Sequence, residues 1–420
     1  MSLSRQSGSM RSMLALGVSL ALLACGQSSS PTAPTPIAQL PRALTVNEQQ
    51  LITQSNGFAF SLFHEIAGEQ PDSNIFMSPL SASMALGMTM NGAQGSTLDA
   101  MRATLGLSSM SLGAADSSYQ SLIALLRGLD PHVDFQIANA IWYRHDFQVN
   151  PPFLNTDQHY FDATVQGLDF NAPSAAQTIN SWVSTNTKGK ISEIVQGPID
   201  PATVMFLTNA IYFKGTWQDQ FDPGKTRSQP FHLDDGSSRT VPMMDEPDIS
   251  APYAQTASYA AVELPYGGGA FVMDVVLPNE NTSLDAVEAG LADGGWPALL
   301  AQLGSGTGEV QLPRFTLNWG GELKQALGAL GMGIAFGSDA DFTGISSQGG
   351  LEITDVDHRA FVAVDEQGTT AAAATSVGIG VTSAPAPFVF KADRPFLFVI
   401  RERLSGAVLF MGELRKPPVA

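Results

Sequence analysis

One cysteine in 420 residues, Cys25, has no partner in the chain, which excludes an internal disulfide framework and any zinc site built from paired thiolates. Charge is scarce too. Only 14% of residues carry it, and 21 Lys plus Arg face 39 Asp plus Glu, for a formal net charge of −18. So acidic a chain lacks the attraction to phosphate that carries most nucleic-acid binding, so no nucleic acid is expected as a partner. The apolar run Met13 to Ala24 stops short of the roughly 20 residues a membrane-crossing helix needs. What the sequence has in quantity is hydrophobic residues, 44% of the total, enough to bury a large core.

The apolar run has the flanks of a signal peptide: Arg5 and Arg11 precede it with no acid, and it ends in Leu22-Leu23-Ala24-Cys25. Those four residues resemble a bacterial lipobox, cut before the cysteine, whose thiol is then acylated. Residues 1–24 are therefore expected to be removed and Cys25 lipidated, which leaves the protein exported and lipid-anchored at the cell envelope, on the periplasmic or cell-surface side. A plain secretory signal with an incidental cysteine, giving a secreted protein, is the alternative. Cleavage removes two arginines and no acid, so the anchor is lipid rather than a basic surface. Residues 25–46, rich in Ser, Pro, Thr and Ala, read as a flexible tether.

Beyond Thr45 the pattern becomes periodic. Thr45 and Glu48 have capping-box spacing, and Ala59, Leu62, Phe63 and Ile66 share a helical face, so a first helix starts here. Further helices are expected near 80–92, 96–105, 117–128 and 174–188. Strands are expected at 135–143, 204–214, 259–265, 270–277, 351–365, 396–401 and 407–413, the last two joined through Leu404-Ser405-Gly406. Helices crowd the first half and strands the second, without βαβ alternation. That order favours an α+β fold in one domain, residues 47–416.

Catalytic and metal signatures fail one by one. His64-Glu65-Ile66-Ala67-Gly68 opens like HExxH but puts glycine where the second zinc ligand must stand. Asp339-Ala340-Asp341 opens like a calcium loop whose twelfth position is Gly350, not Glu. Gly331, Gly333 and Gly337 miss dinucleotide-loop spacing, and no GxSxG elbow or phosphate loop is found. No cofactor, no metal and no enzyme activity are expected; a hydrolase with a triad assembled only in space would need a nucleophile elbow the chain does not show.

The odd segment is Gly368 to Phe390, 23 positions without a charged residue between Asp365-Glu366 and Lys391. Alternate residues Thr369, Ala371, Ala373, Thr375, Val377, Ile379 and Val381 grow steadily more apolar, while Thr370, Ala372, Ala374, Ser376, Gly378, Gly380 and Thr382 stay small or polar. This is the period of a strand with one buried face. Yet four consecutive alanines and two glycines suit strands poorly, and Pro385 and Pro387 end any ladder. The tract fits both an exposed loop and a strand slotted into a sheet; an ordinary flexible loop or an Ala-rich helix fits the pattern as well.

At this segment the chain resembles the serpin family. Val364 to Thr375 is similar to the hinge of an inhibitory reactive-centre loop. NIFMSPLSAS (74–83), LTNAIYFKGTW (207–217), LPRF (312–315), ADFTGI (340–345) and FKADRPFLFVI with GAVLFMGEL (390–414) resemble further family blocks in the right order. The resemblance implies an α+β fold of three β-sheets with eight or nine helices and an exposed reactive-centre loop. It also implies an irreversible inhibitor, a suicide substrate that traps a serine or cysteine protease by inserting its cleaved loop into the central sheet. The alternative is a non-inhibitory serpin acting as a binding or structural protein.

Carried over residue by residue, the resemblance makes Glu366, Gly368, Thr369, Thr370, Ala371, Ala372, Ala373, Ala374 and Thr375 the hinge, and Thr382-Ser383 the reactive bond. Ser78, Ser81, Asn209 and His358 match the shutter, polar groups that exchange hydrogen bonds as the sheet opens. Lys214 and Trp217 match the breach, where insertion begins. Thr370 departs from the glutamate of many inhibitors, but the resemblance implies that it faces outward. With no Lys or Arg between Gln367 and Lys391, the expected target is elastase-like or subtilisin-like. No basic residue lies between Arg102 and Arg127, so no glycosaminoglycan is expected. The protein is expected to be a monomer.

Overall fold

The computed structural model describes residues 35–369 and 387–418. In chain order the elements are α1 (Val46–Glu69), β1 (Ile75–Met77), α2 (Pro79–Met90), α3 (Gly95–Thr104), α4 (Leu112–Leu126), β2 (Val133–Arg144), α5 (Pro151–Phe161), β3 (Thr164–Leu168), α6 (Ser174–Asn186) and β4 (Met205–Thr216). They continue as β5 (Arg227–His232), β6 (Ser238–Gln255), β7 (Tyr259–Tyr266), β8 (Phe271–Pro278), α7 (Leu284–Gly290), α8 (Trp296–Gln302), β9 (Gly304–Pro313) and β10 (Phe315–Glu322). Last come α9 (Lys324–Leu327), β11 (Asp357–Asp365), β12 (Gly368–Thr369), β13 (Phe388–Lys391), β14 (Phe396–Glu402) and β15 (Val408–Leu414). The class is the expected α+β. No helix among the described residues is long and apolar enough to cross a membrane.

α1 starts where its cap directs: Thr45 Oγ1 accepts from Glu48 N–H, and Glu48 Oε2 accepts from Thr45 N–H at 2.7 Å. Arg42 adds an ion pair to Glu48 and holds that carboxyl down at about 2. The tether expected over 25–46 is therefore attached in its second half. Ile37 N–H donates to Gly268 O at 2.7 Å and Arg403 Nη2 donates to Ile37 O at 2.9 Å, because backbone groups of this segment find partners on the turn between β7 and β8 and on the turn between β14 and β15.

Six strands form one sheet in the order β10-β11-β12-β4-β2-β3. Along β11 the buried residues alternate, His358, Ala360, Val362 and Val364, so one face looks into the core. α2 packs against this sheet from the core side, and α6 covers β2 and β4 from outside over a small separate cluster of Trp142, Phe170, Ile179 and Val195.

Three sheets were expected, but the remaining nine strands form one hydrogen-bonded network, β1-β15-β14-β8-β7-β6-β9-β13 with β5 on β6. The long β6 is the reason. Ser238 to Met243 pair with β5, Met243 to Tyr253 with β9 and Tyr253 to Gln255 with β7, and a bulge between Glu246 and Ile249 bends the strand, so one strand serves two layers. The helices number nine among the described residues. The 351–365 strand begins only at Asp357, because Ile353 N–H and Val356 O bond to Ala335 and Leu323 instead of to a strand.

Candidate functional site

The loop segment enters the six-stranded sheet through a clasp. Trp217 N–H donates to Gln367 O at 2.8 Å, Trp217 Nε1 to Asp365 O at 2.9 Å, and Phe221 N–H to Glu366 O at 2.9 Å. Three consecutive carbonyls of the hinge are thus held by one five-residue stretch. The Glu366 side chain, buried, accepts from Thr226 Oγ1 at 2.7 Å and pairs with Arg314 at 3.4 Å. Asp365 Oδ1 accepts from Gln367 N–H at 2.9 Å and closes the turn.

From that clasp β12 runs as a strand. Val364 pairs with Thr369 and Asp365 with Gly368 on one side; Gly368 pairs with Thr216 and Thr369 with Gly215 on the other. Among the described residues β12 is what joins β11 to β4, and the two hold no pairing with each other. At this level they stand a strand's width apart, about 9.6 Å for two interstrand spacings. Gly368, at φ 140°, lies where a Cβ would meet Gly215 O at 2.2 Å, so no other residue fits. Thr369 is only 3% exposed, and its hydroxyl shares a hydrogen bond of 2.8 Å with Tyr266 OH.

At the opposite end of the same two strands lies a cavity of about 340 Å³ lined by Ser81, Asn209, Leu323, Phe342, Asp357 and His358 among others. Ser78 caps α2, accepting from Ser81 N–H at 3.2 Å, and its hydroxyl donates to Leu409 O at 2.7 Å. Ser78 N–H donates to His358 Nε2 at 3.0 Å. That nitrogen must be unprotonated to accept, and burial pushes His358 down to about 4. Asn209 Nδ2 donates to Asn139 Oδ1 at 2.6 Å, and Asn139 in turn donates to Phe161 O at 2.7 Å. The buried Asn209 Oδ1 has no partner among the described residues.

The structure thus brings Ser78, Ser81 and His358 into one hydrogen-bonded group and sets Asn209 on the same cavity with a different partner. Trp217 and Glu366 meet in the clasp with Gly368 and Thr369 just beyond. Lys214 stands on β4 across from Asp134 of β2, and among the described residues it makes no bond to the hinge. Thr370, Ala371, Ala372, Ala373, Ala374, Thr375, Thr382 and Ser383 lie outside the described residues, as does Cys25. Tyr266, Thr226, Asn139 and Arg314 escaped sequence reading. Arg314 sits inside the LPRF block, whereas Tyr266 carries no signal beyond an aromatic at a strand end. Among the described residues no group of three His, Cys, Asp or Glu is placed to hold a metal ion.

Residues 53–417 match the family model Serpin (serine protease inhibitor). The chain is 36% identical over 387 residues to a leukocyte elastase inhibitor of Sus scrofa, covering 88% of this chain and all of that one. It is 35% identical over 378 residues to an uncharacterized serpin-like protein of Thermococcus kodakarensis, covering 88% and 86%. Among solved structures it superposes on native Tengpin, a thermophilic serpin, with a TM-score of 0.78 at 27% identity, covering 92% and 97% of the two chains. Human thyroxine-binding globulin gives 0.80 at 30% identity, covering 89% and 100%. The chain belongs to the serpin family. As a family serpins are inhibitors that engage serine proteases, not catalysts, and thyroxine-binding globulin is a member that binds a small ligand.

Proposed function

We propose that this protein inhibits serine proteases as an irreversible suicide substrate. The protease's serine oxygen attacks the Thr382 carbonyl carbon, the bond to the Ser383 nitrogen breaks, and that nitrogen leaves with a proton, so Thr382 becomes an ester on the enzyme. The freed loop then enters between β11 and β4, continuing the strand that Gly368 and Thr369 begin. Roughly 14 residues at about 3.3 Å each carry the tethered enzyme some 46 Å, and deformation at the far end stops water from completing hydrolysis.

The observation that carries this reading is the buried β12, paired on both sides between two strands that, among the described residues, do not pair with each other. Insertion must outrun deacylation, which requires a hinge without groups that are costly to bury; Gly368 and Thr369 meet that need. The uncharged loop and the similarity to a leukocyte elastase inhibitor favour an elastase-like or subtilisin-like target, with cysteine proteases a secondary class. The protein works as a monomer, without cofactor, exported and held by lipid on Cys25.

Incubation of the mature protein with pancreatic elastase and with subtilisin tests this directly. Trapping gives an adduct that survives SDS and releases no active enzyme. Complete cleavage of the loop with full protease activity retained would overturn the reading and favour a binding serpin, in the manner of the thyroxine-complexed relative.

A further inference from the structure

Tyr266, at the end of β7, is fully buried. Its ring stacks on Trp217 at 4.4 Å and meets Phe213 edge-on at 5.1 Å. It also presses on Gly215, where an added Cβ would come within 2.8 Å of the ring. The backbone beside it is tied down as well. Gly267 N–H donates to Thr216 O at 2.8 Å, Ile37 N–H to Gly268 O at 2.7 Å, and Arg403 Nε to Gly269 O at 2.6 Å. A ring fixed on so many sides cannot swing its hydroxyl to a new partner. Among the described residues that hydroxyl bonds to Thr369 Oγ1.

The consequence differs between two states of the hinge. With Thr369 seated in the strand, both hydroxyls are satisfied. With Thr369 withdrawn, its own hydroxyl reaches water while the phenol stays buried without a partner, an arrangement that costs free energy. An interaction that distinguishes two conformations shifts their populations.

We propose that Tyr266 is a positioning residue for loop insertion: its hydroxyl holds Thr369 in strand position before any protease arrives. This rests on the trapping reading above and adds where insertion starts. The new strand grows from a nucleus already paired on both sides, so the first inward residue need not be found during the lifetime of the acyl-enzyme. Preorganisation of this kind raises the fraction of encounters that end in a trap rather than in hydrolysis.

Two measurements on the full-length mature protein test it: amide hydrogen exchange of residues 366–369 and of Gly215 and Thr216, and the number of inhibitor molecules consumed per elastase molecule trapped. Tyr266→Phe and Thr369→Val should each lower hinge protection about tenfold, the factor equivalent to ~1.4 kcal/mol, and raise consumption. The double variant sets two apolar groups face to face and should return protection to within about threefold of the wild type. Thr369→Ser keeps the hydroxyl and should resemble the wild type. Additive losses in the double variant, or single variants that lower the melting temperature while hinge protection and consumption stay fixed, would overturn the assignment. If the exchange pattern holds but the wild type traps no protease, the seating of Thr369 stands and the inhibitor reading falls. If the wild type traps protease and Tyr266→Phe changes neither measurement, the reverse is true.

Discussion

At the residue scale the site depends on what can be buried. Thr369 is buried beside Tyr266, and a guanidinium there would lose its water. Thr369→Arg should cost several kcal/mol at the first step of insertion. A stoichiometric assay should then show an inhibitor turned substrate, cleaved by elastase with no adduct; undiminished adduct would contradict the insertion route. His358 supplies a second test. Its folded value, about 4, lies below the ordinary 6.5, so the stability it contributes is whole above pH 6.5 and is lost as pH falls toward 4. Urea unfolding of wild type and His358→Gln should therefore diverge in slope across that window by on the order of 1–3 kcal/mol, and parallel curves would count against the neutral imidazole. Thr369 was legible because a small inward residue in an uncharged tract is visible in sequence. Tyr266 was not, since a tyrosine ending a strand is ordinary until its ring is seen wedged against Gly215.

Among elements, those with a regular period were legible and those built from exceptions were not. The Thr45 and Glu48 cap announced α1, and the alternation in β11 announced a strand. α5 was hidden behind Asn150-Pro151-Pro152, which reads as a turn although proline is at home in a helix's first turn. β6 carries Pro242, Pro247 and Pro252, marks of a non-strand, yet its bulge and its position between two layers accommodate them. The junction of α2, α4 and α5 was equally invisible. There Asn91 Nδ2 donates to Asp157 Oδ1 at 2.9 Å and to Asp116 Oδ1 at 3.2 Å, and Asp157 Oδ2 is buried without a partner among the described residues. Burial raises Asp157 to about 8 and Asp116 to about 6. For a raised carboxyl, stability is whole below its unfolded value near 4 and is lost as pH rises through the folded value. Above pH 6.5 His358 no longer changes, so the carboxyls act alone. Between pH 6.5 and 9 the wild type should lose stability and Asp157→Asn should lose about 1–2 kcal/mol less, as read by urea midpoints. Identical pH profiles would show that Asp157 is ionised throughout.

For the whole molecule the claim is that the fold stores free energy in an incomplete sheet. Among the described residues β4 and β11 are bridged by two residues of β12, and Asn209 Oδ1, on the cavity at their other end, has no partner. In the proposed mechanism a strand running the length of that interface would satisfy backbone groups along both neighbours once the loop is cut. The family blocks in the sequence made this architecture legible. Its merged nine-stranded network and the docking of Ile37 on the β7–β8 turn depend on contacts between segments far apart in the chain, which local pattern cannot express. Differential scanning calorimetry of intact protein beside protein nicked within residues 376–383 is the most direct measurement. The nicked form should melt tens of degrees higher, the equivalent of ~10 kcal/mol or more for a domain of this size. Equal melting temperatures would mean that no free energy is held in reserve, and the trapping account would be wrong.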